Sequence, residues 1–465
     1  MSIGENYQDI YRKLDGHKYG GMFKFSQPVL IVRDPELIKN ILVKDFTSFH
    51  DNDVHVNIDT DPMFGRNPFV LRGERWKITR SQLNPAFTAA KLKPLFPLVL
   101  EVCQELTDYI EKNAHTGEFE TKELCARFTT NVVATCAFGI HGNAIWNPES
   151  EFRRMGRELI EPGFLQNLKF TTILLMPFIA DIFKLRFVTT TLEDFFRRVV
   201  KEVAMQREQK NVNRADYLQY LINLKNKAAE SSATDNGHDF ASQKNIFSDD
   251  DVVAQAITFF GDGFETSSTA LSFSLYALAT NPDIQEKVRE EVESVLKKHG
   301  GELTFDSIQE MTYLDMVFSE VLRMYPPAMF LPRQCTKPFK LETPSGASFE
   351  VEAGTPVVIP LYALHYDPQH FHDPLIFDPE RFSEENKKNL HKYVYLPFGN
   401  GPRICLGSRF AMMQVKAGIA AIISNFELSR TKRTPVPFIP DPNHFLLAAK
   451  GGLWLQMKKL KRKDI

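Results

Sequence analysis

The sequence predicts a mainly α chain with a minor β portion. Three observations carry that reading. Helical periodicity runs almost without pause from Lys91 to Lys227, a long helix extends from Ser248 to about Asn281, and strand-like segments cluster at Gly20 to Val32 and Phe339 to Pro360. In order along the chain, Gly20 to Val32 reads as two short strands around Ser26-Gln27-Pro28. A helix opened by Asp34 and Pro35 follows, with Leu37, Ile38, Ile41 and Leu42 as its apolar face. Ala228 to Gln243 is dominated by Ser, Ala, Asp, Asn and Gly and reads as an exposed linker. Ser248 is placed to cap the long helix, and the acids Asp249, Asp250 and Asp251 suit its positive end. Pro282 begins the next helix, and Pro344-Ser345-Gly346 and Ala353-Gly354 divide the later strands.

Length alone allows roughly three domains, although one large cofactor can organise a single core. The 56 basic and 58 acidic side chains nearly balance, so no global charge points to nucleic acid. Hydrophobic residues make up 43% of the chain and Phe alone accounts for 38, enough for a large core and an apolar ligand pocket. Cys103, Cys125, Cys136, Cys335 and Cys405 are odd in number and scattered, which argues against a disulfide framework and for a reducing compartment. No apolar run reaches the roughly 18 residues of a membrane span, and the start lacks a signal-peptide core or an Arg-rich transit pattern. Phe170 to Val188 is apolar but broken by Pro177 and Asp181. It fits either a buried helix pair or a segment lying at a bilayer surface, with Lys184 and Arg186 beside it.

The most informative segment is Phe398-Gly399-Asn400-Gly401-Pro402-Arg403-Ile404-Cys405-Leu406-Gly407, which sets one cysteine in a glycine-rich loop just before a helix from Ser408. Gly401 and Gly407 allow tight backbone folding and close approach to a flat group. Backbone N–H groups and the helix N-terminus stabilise a thiolate. An isolated cysteine is usually a small core residue. A lone thiolate cannot complete a zinc or iron–sulfur site, but it suffices as the axial ligand of haem iron.

Within the long helix lies Gly261-Asp262-Gly263-Phe264-Glu265-Thr266-Ser267-Ser268-Thr269. Interior glycines cost about 1 kcal/mol each relative to alanine. A flat ligand against the helix with a local opening of its hydrogen bonds would account for them, as would close helix packing. Glu265 and Thr266 stand where a proton could be relayed. Glu320 and Arg323 share a helical face among Leu314, Val317, Phe318, Val321 and Leu322, so the pair is expected to be buried, with Arg381 as a further partner. Trp76, Arg80 and Arg333 add donors suited to carboxylates, Trp76 and Arg80 on one helical face.

In these residues the chain resembles a cytochrome P-450 over almost its whole length. Trp76 to Arg80, Gly263 to Thr266, Glu320 to Arg323, Pro379 to Phe382 and Phe398 to Gly407 come in that family's order. Pro28 through Phe46, Gly263 to Ser268, and Leu331-Pro332-Arg333-Gln334-Cys335 further resemble the insect microsomal group related to animal drug-metabolising members. The resemblance implies a single haem-containing domain over residues 1–465, holding haem b with Cys405 as axial ligand. It also implies Phe398 beside that ligand, Arg403, Arg80, Trp76 and Arg333 at the propionates, Gly263 against the cofactor, and Glu320, Arg323 and Arg381 as a structural triad.

The implied reaction inserts one oxygen atom from O2 into a lipophilic small molecule, with Thr266 and Glu265 guiding protons. Electrons come from NADPH through cytochrome P-450 reductase, with cytochrome b5 as a further candidate donor, and Lys77, Lys91, Lys93 and Arg409 are candidates for the docking surface. The substrate pocket is expected from Asn57 to Leu71, the Phe164 region, Phe259 to Thr266, Ala328 to Leu331 and Phe445. A haem-dependent isomerase or dehydratase, which Thr266 argues against, and a haem sensor without turnover are the rival readings.

Microsomal members carry an amino-terminal membrane helix and a proline-rich hinge, and this chain is expected to begin after both. Attachment to the cytosolic face of the endoplasmic reticulum is then peripheral. Asp262 departs from the family pattern, in which a small residue is usual. It is expected to hydrogen-bond within the helix or meet a cationic group, or else to form an ester with a haem methyl, as a glutamate at the matching position does in the fatty-acid-hydroxylating branch.

Overall fold

The computed structural model describes residues 1–160, 164–234, 247–342 and 348–461. They fall into two compact units. One comprises Met1–Asp53, Leu100–Phe128 and Thr266–Ile465, and the other Val54–Val99 and Thr129–Glu265. All described strands belong to the first: β1 (Tyr19–Lys24), β2 (Gln27–Val32), β3 (Phe119–Glu120), β4 (Leu331–Gln334), β5 (Phe339–Glu342), β6 (Ser348–Val351), β7 (Pro356–Ile359), β8 (Phe426–Arg430) and β9 (Trp454–Lys459).

The principal sheet has the order β1-β2-β7-β4. β1 and β2 form the expected antiparallel hairpin, Tyr19 opposite Val32 and Lys24 opposite Gln27. β2 pairs in parallel with β7 through Leu30 and Val357, and β4 pairs antiparallel with β7. Val29–Val32 and all of β7 are buried, as expected of apolar strands covered on both faces. Leu30, Val32, Val357 and Ile359 share a core with Ile38, Ile41, Leu42, Phe49 and Leu396, while Val29, Ile31 and Val358 pack on the other face with Tyr7, Ile10 and Leu14. β3, β9 and β8 form a second sheet, and β5 and β6 a hairpin. Strands are therefore more widely spread than the sequence suggests. β3, β4, β8 and β9 lie outside the two expected regions, because each is short and gains its place from a distant partner rather than from a long alternating pattern.

Local signals mark several helix ends correctly. The Asp34 carboxylate accepts a hydrogen bond from the Leu37 N–H (2.8 Å), capping the helix Pro35–Lys39. The long helix spans Asp249–Thr280, with the Ser248 hydroxyl accepting from the Asp251 N–H and the Asp251 carboxylate accepting in return from the Ser248 N–H. Pro282 opens the next helix. Two expectations are corrected. The helix from Tyr217 continues to Thr234, so Ala228–Thr234 is helix rather than linker; Ala and Glu are good helix formers. Residues 235–243 of that expected linker, and Pro344-Ser345-Gly346, lie outside the described residues. The long helix also continues as α-helix through Gly261 and Gly263, without the expected opening.

In the second unit, helices pack around a group of phenylalanine rings. Phe152 meets Phe195 edge-on with centroids 5.2 Å apart, and Phe260 lies 5.1 Å from both Phe196 and Phe264. Each buried ring contributes roughly 1.5–3 kcal/mol. The glycines of the long helix also meet close neighbours in this packing. A Cβ on Gly261 would stand 2.6 Å from the Leu159 side chain, and one on Gly263 would stand 3.2 Å from Val133. Phe170 to Val188 folds as two short helices, Phe164–Leu175 and Pro177–Ile182, and is largely a surface rather than core. Phe178 is 75% exposed and Phe183 is 70% exposed. Among the described residues no helix is long and apolar enough to cross a membrane.

Candidate active site

Cys405 stands apart from the other cysteines: Cys103, Cys125, Cys136 and Cys335 are buried, whereas Cys405 is exposed. Burial pushes the Cys103 and Cys125 thiols well up, out of reach of thiolate chemistry at neutral pH. The Cys405 loop is held by its own backbone. The Cys405 N–H donates to the Phe398 carbonyl (2.8 Å), Ile404 N–H to the Gly401 carbonyl (3.0 Å), and Gly399 N–H to the Leu396 carbonyl (2.9 Å). Gly399 and Gly401 adopt φ of 71° and 74°. At Gly401 a Cβ would lie 2.0 Å from the Leu42 carbonyl oxygen, so only glycine lets the loop close there.

The segment His50–Asn52 organises the cations around this loop. Arg403 donates from Nε to the His50 carbonyl, and its Nη2 lies 3.4 Å from the Asp51 carboxylate. Gln334 N–H on β4 donates to the Asp51 carbonyl (2.8 Å), and the neighbouring Arg333 donates to Asn52 Oδ1 and the Pro332 carbonyl, both at 2.8 Å. Arg333 is only 3% exposed, and its buried Nε has no hydrogen-bond partner among the described residues. Desolvation pulls its pKa down to about 10. A buried guanidinium bonded only to neutral acceptors is costly without an anion. Arg333 therefore fits a carboxylate-bearing group beside the Cys405 loop, as haem with its propionates would supply.

Beneath the loop, Glu320 and Arg323 are both fully buried and pair bidentately, Nε to Oε2 at 2.7 Å and Nη2 to Oε1 at 2.8 Å. Arg381 Nε reaches Glu320 at 3.3 Å and the Asp378 N–H donates to it at 3.0 Å, so the expected triad assembles. Arg323 also donates to the His365 carbonyl (2.7 Å).

His365 is a component that the motifs did not reveal. Its Nδ1 lies 3.1 Å from the Arg323 carbonyl and its Nε2 accepts from the Leu396 N–H at 3.2 Å, joining the triad to the run that leads into the Cys405 loop. That geometry requires a neutral ring with Nδ1 protonated. Burial, with a smaller contribution from the Arg323 charge, lowers its pKa from 6.5 to about 3. As pH falls, the unfolded chain therefore takes up a proton first. The stability contributed by neutral His365 is complete above about pH 6.5 and is lost progressively toward about pH 3. The unfolding free energy should fall by up to about 1.4 kcal/mol per pH unit within that window through this residue alone. A His365→Gln protein should show a correspondingly shallower pH dependence in urea unfolding; equal slopes would refute the assignment.

Still within the strand-bearing unit, the helix after Cys405, Ser408–Ile423, is tied to the Thr266–Thr280 part of the long helix. Gln414 Nε2 donates to Ser267 Oγ (2.8 Å), and a Cβ on Gly418 would lie 3.1 Å from Leu271. Lys122 Nζ donates to Ser268 Oγ (2.7 Å). Ser267 and Ser268 thus serve helix packing, while Thr266 is half-buried on another face. Phe398 is also half-buried.

The remaining candidates belong to the helical unit. Trp76 is buried and Arg80 half-buried, one turn apart on the helix Gly73–Leu83. Gly263 faces Val133, and the Thr129 hydroxyl donates to the Phe264 carbonyl (2.9 Å) in the same turn. Glu265 is buried. Desolvation by the surrounding protein pushes the Asp262 carboxyl up to about 6, against a hydrogen bond from Asn67 that lowers it. Among the other expected pocket residues, Phe259 stacks on Tyr217 in this unit with centroids 4.5 Å apart, whereas in the strand-bearing unit Phe445 meets Phe330 edge-on at 5.8 Å. The Phe164 side chain lies outside the described residues.

A helical chain with minor sheets, a glycine-held cysteine loop and a buried guanidinium beside it defines the haem-thiolate class of oxidoreductase. The family model for cytochrome P-450 matches residues 2–455, and the chain belongs to that family of haem-dependent monooxygenases, in which a cysteine thiolate ligates the iron. It is 40% identical to cytochrome P-450 9e2 of Blattella germanica over 98% of this chain and 89% of the relative. It is 41% identical to cytochrome P-450 6j1 of the same cockroach over 98% of this chain and 88% of the relative. Identity to the probable cytochrome P-450 6a13 of Drosophila melanogaster is 38%, over 97% of this chain and 88% of the relative.

Proposed function

We propose that this cytochrome P-450 hydroxylates or otherwise oxygenates a lipophilic xenobiotic, lipid or hormone, with Cys405 as the thiolate ligand of haem b and electrons drawn from NADPH through cytochrome P-450 reductase, cytochrome b5 being a second candidate donor. The observation that carries the reading is the one exposed cysteine, held in a loop closed by glycines, beside a buried arginine that has no carboxylate partner among the described residues. Haem, when bound there, supplies the activation of O2, one atom going to substrate and the other leaving as water. The chain's own residues do the rest. Arg333, with Arg403, Arg80 and Trp76, holds the propionates. Phe398 covers the sulfur. Thr266 donates a proton from its hydroxyl toward the oxygen-binding side, with Glu265 as its resupply. Exposed Lys77, Lys91, Lys93 and Arg409 offer positive charge to an acidic redox partner.

Purified protein mixed with reductase, NADPH and a panel of lipophilic compounds should consume NADPH and yield oxygenated products. Product formation without NADPH, or haem binding with no turnover on any compound, would overturn the monooxygenase assignment of this site. Thr266→Ala should bind substrate normally yet divert most NADPH consumption into peroxide. Because Ser267 is engaged by Gln414, unchanged coupling in that variant would place proton delivery on Glu265 instead.

The exposed side chains of Phe178, Ile182 and Phe183, with Leu168 nearby in sequence, support attachment of this surface to a membrane. The compartment we propose is the cytosolic face of the endoplasmic reticulum, where such a reductase would meet it.

A further inference from the structure

Beside those apolar side chains lies a polar cleft of about 450 Å3 lined by Asn57, Asp59, Thr60, Asp181, Lys184 and Arg186. Its walls are fastened together within the helical unit. Buried Asp61 accepts hydrogen bonds from the N–H groups of Phe187 (2.8 Å) and Val188 (3.0 Å), pinning the 181–188 segment to the 57–61 turn. That turn is itself closed by bonds from the Thr60 and Asp61 N–H groups to the Asn57 carbonyl and from the Asp59 N–H to Asn57 Oδ1. The Phe64 and Phe187 rings pack 4.3 Å apart behind it. The cleft is preorganised rather than formed by loose side chains.

Its charges are balanced and only partly used. Asp181 has His55 Nε2 at 3.8 Å, and Arg186 pairs with Glu193 while its buried Nε has no hydrogen-bond partner among the described residues. Lys184 and Asp59 make no ion pair among the described residues, with each other or with any other side chain. Two opposite charges that face one cleft without meeting leave a gap that a ligand bearing both charges would bridge. Lys184 sits immediately after Phe183 and two residues after Ile182, so the cationic side of the cleft adjoins the apolar surface.

We propose that this cleft seats the headgroup of a zwitterionic phospholipid, its phosphate on Lys184 and Arg186 and its ammonium on Asp59 and Asp181, while Phe178, Ile182 and Phe183 enter the acyl layer. The proposal rests on the membrane-contact reading of Phe170 to Val188. An anionic lipid satisfies the cations but sets no ammonium against the two acids, so balanced charge selects the zwitterion.

The test is sedimentation of the full haem-loaded chain with vesicles of phosphatidylcholine, of phosphatidylglycerol, or of an uncharged galactolipid. Wild type should bind phosphatidylcholine vesicles most tightly. Lys184→Gln/Asp59→Asn leaves net charge unchanged and should weaken binding to phosphatidylcholine at least about tenfold while leaving galactolipid binding as it was. Phe178→Ser/Phe183→Ser should lose binding to all three. If the charge-neutral double variant binds phosphatidylcholine like wild type, or wild type prefers phosphatidylglycerol, the headgroup site is refuted although the membrane reading stands. If wild type sediments with no vesicle, the membrane reading itself fails.

Discussion

Replacing Cys405 by Ser should abolish the red-shifted Soret band that the reduced, carbon monoxide-bound protein shows when a thiolate ligates haem iron. The substitution exchanges sulfur for oxygen in a loop whose shape is set elsewhere. Gly399 and Gly401 carry the positive φ angles, and the backbone bond from residue 405 to the Phe398 carbonyl does not involve the side chain. The variant is therefore expected to fold and to retain Arg333 and Arg403 in place, so that loss of the band reports ligation alone. Cys103, Cys125, Cys136 and Cys335 are buried and cannot substitute for it. A variant whose spectrum matches wild type would show that another residue holds the iron.

Glu320→Ala should yield little haem-loaded protein, with a stability loss of roughly 3–5 kcal/mol, because removing one member of a buried pair strands the other. Glu320 accepts four bonds, two from Arg323, one from Arg381 and one from the Asp378 N–H. Among the described residues its loss leaves the fully buried Arg323 guanidinium hydrogen-bonded to the His365 and Ile376 carbonyls alone, with no anion beside it. The fault should spread along the chain, since His365 links Arg323 to Leu396 and so to the start of the Cys405 loop. Haem content per mole of protein and the denaturant midpoint measure the effect. A well-folded, fully loaded but inactive Glu320→Ala protein would show a role in the oxygen chemistry instead.

The parts of the site that were legible in the sequence are those whose chemistry is local. The glycine-flanked cysteine, the Glu320 and Arg323 spacing, and the Ser248 and Asp34 caps act over a few residues and leave a readable pattern. His365 left none. It lies in the run Leu361-Tyr362-Ala363-Leu364-His365, where apolar neighbours announce burial but cannot reveal that both ring nitrogens are used. The glycines of the long helix were legible as a requirement with two open causes, a flat ligand or close helix packing, and the fold sets Leu159 and Val133 of other helices against them. Likewise Phe170 to Val188 fitted both a buried pair and a surface, and only packing showed that Phe178 and Phe183 are exposed.

By itself, then, the amino-acid sequence determined the helical class, the order of the family's motifs, the ends of the long helix and the identity of the outlying cysteine. Caps, proline and glycine impose these through interactions that close within about one helical turn. The tertiary structure alone decided that β4 and β7 pair, that Asn52 reaches Arg333 across 281 residues, and that the Arg333 guanidinium is buried among neutral acceptors. The physical reason is that burial and long-range pairing belong to no single residue. They are selected collectively, when loop closure, apolar packing and the satisfaction of buried polar groups all favour one arrangement.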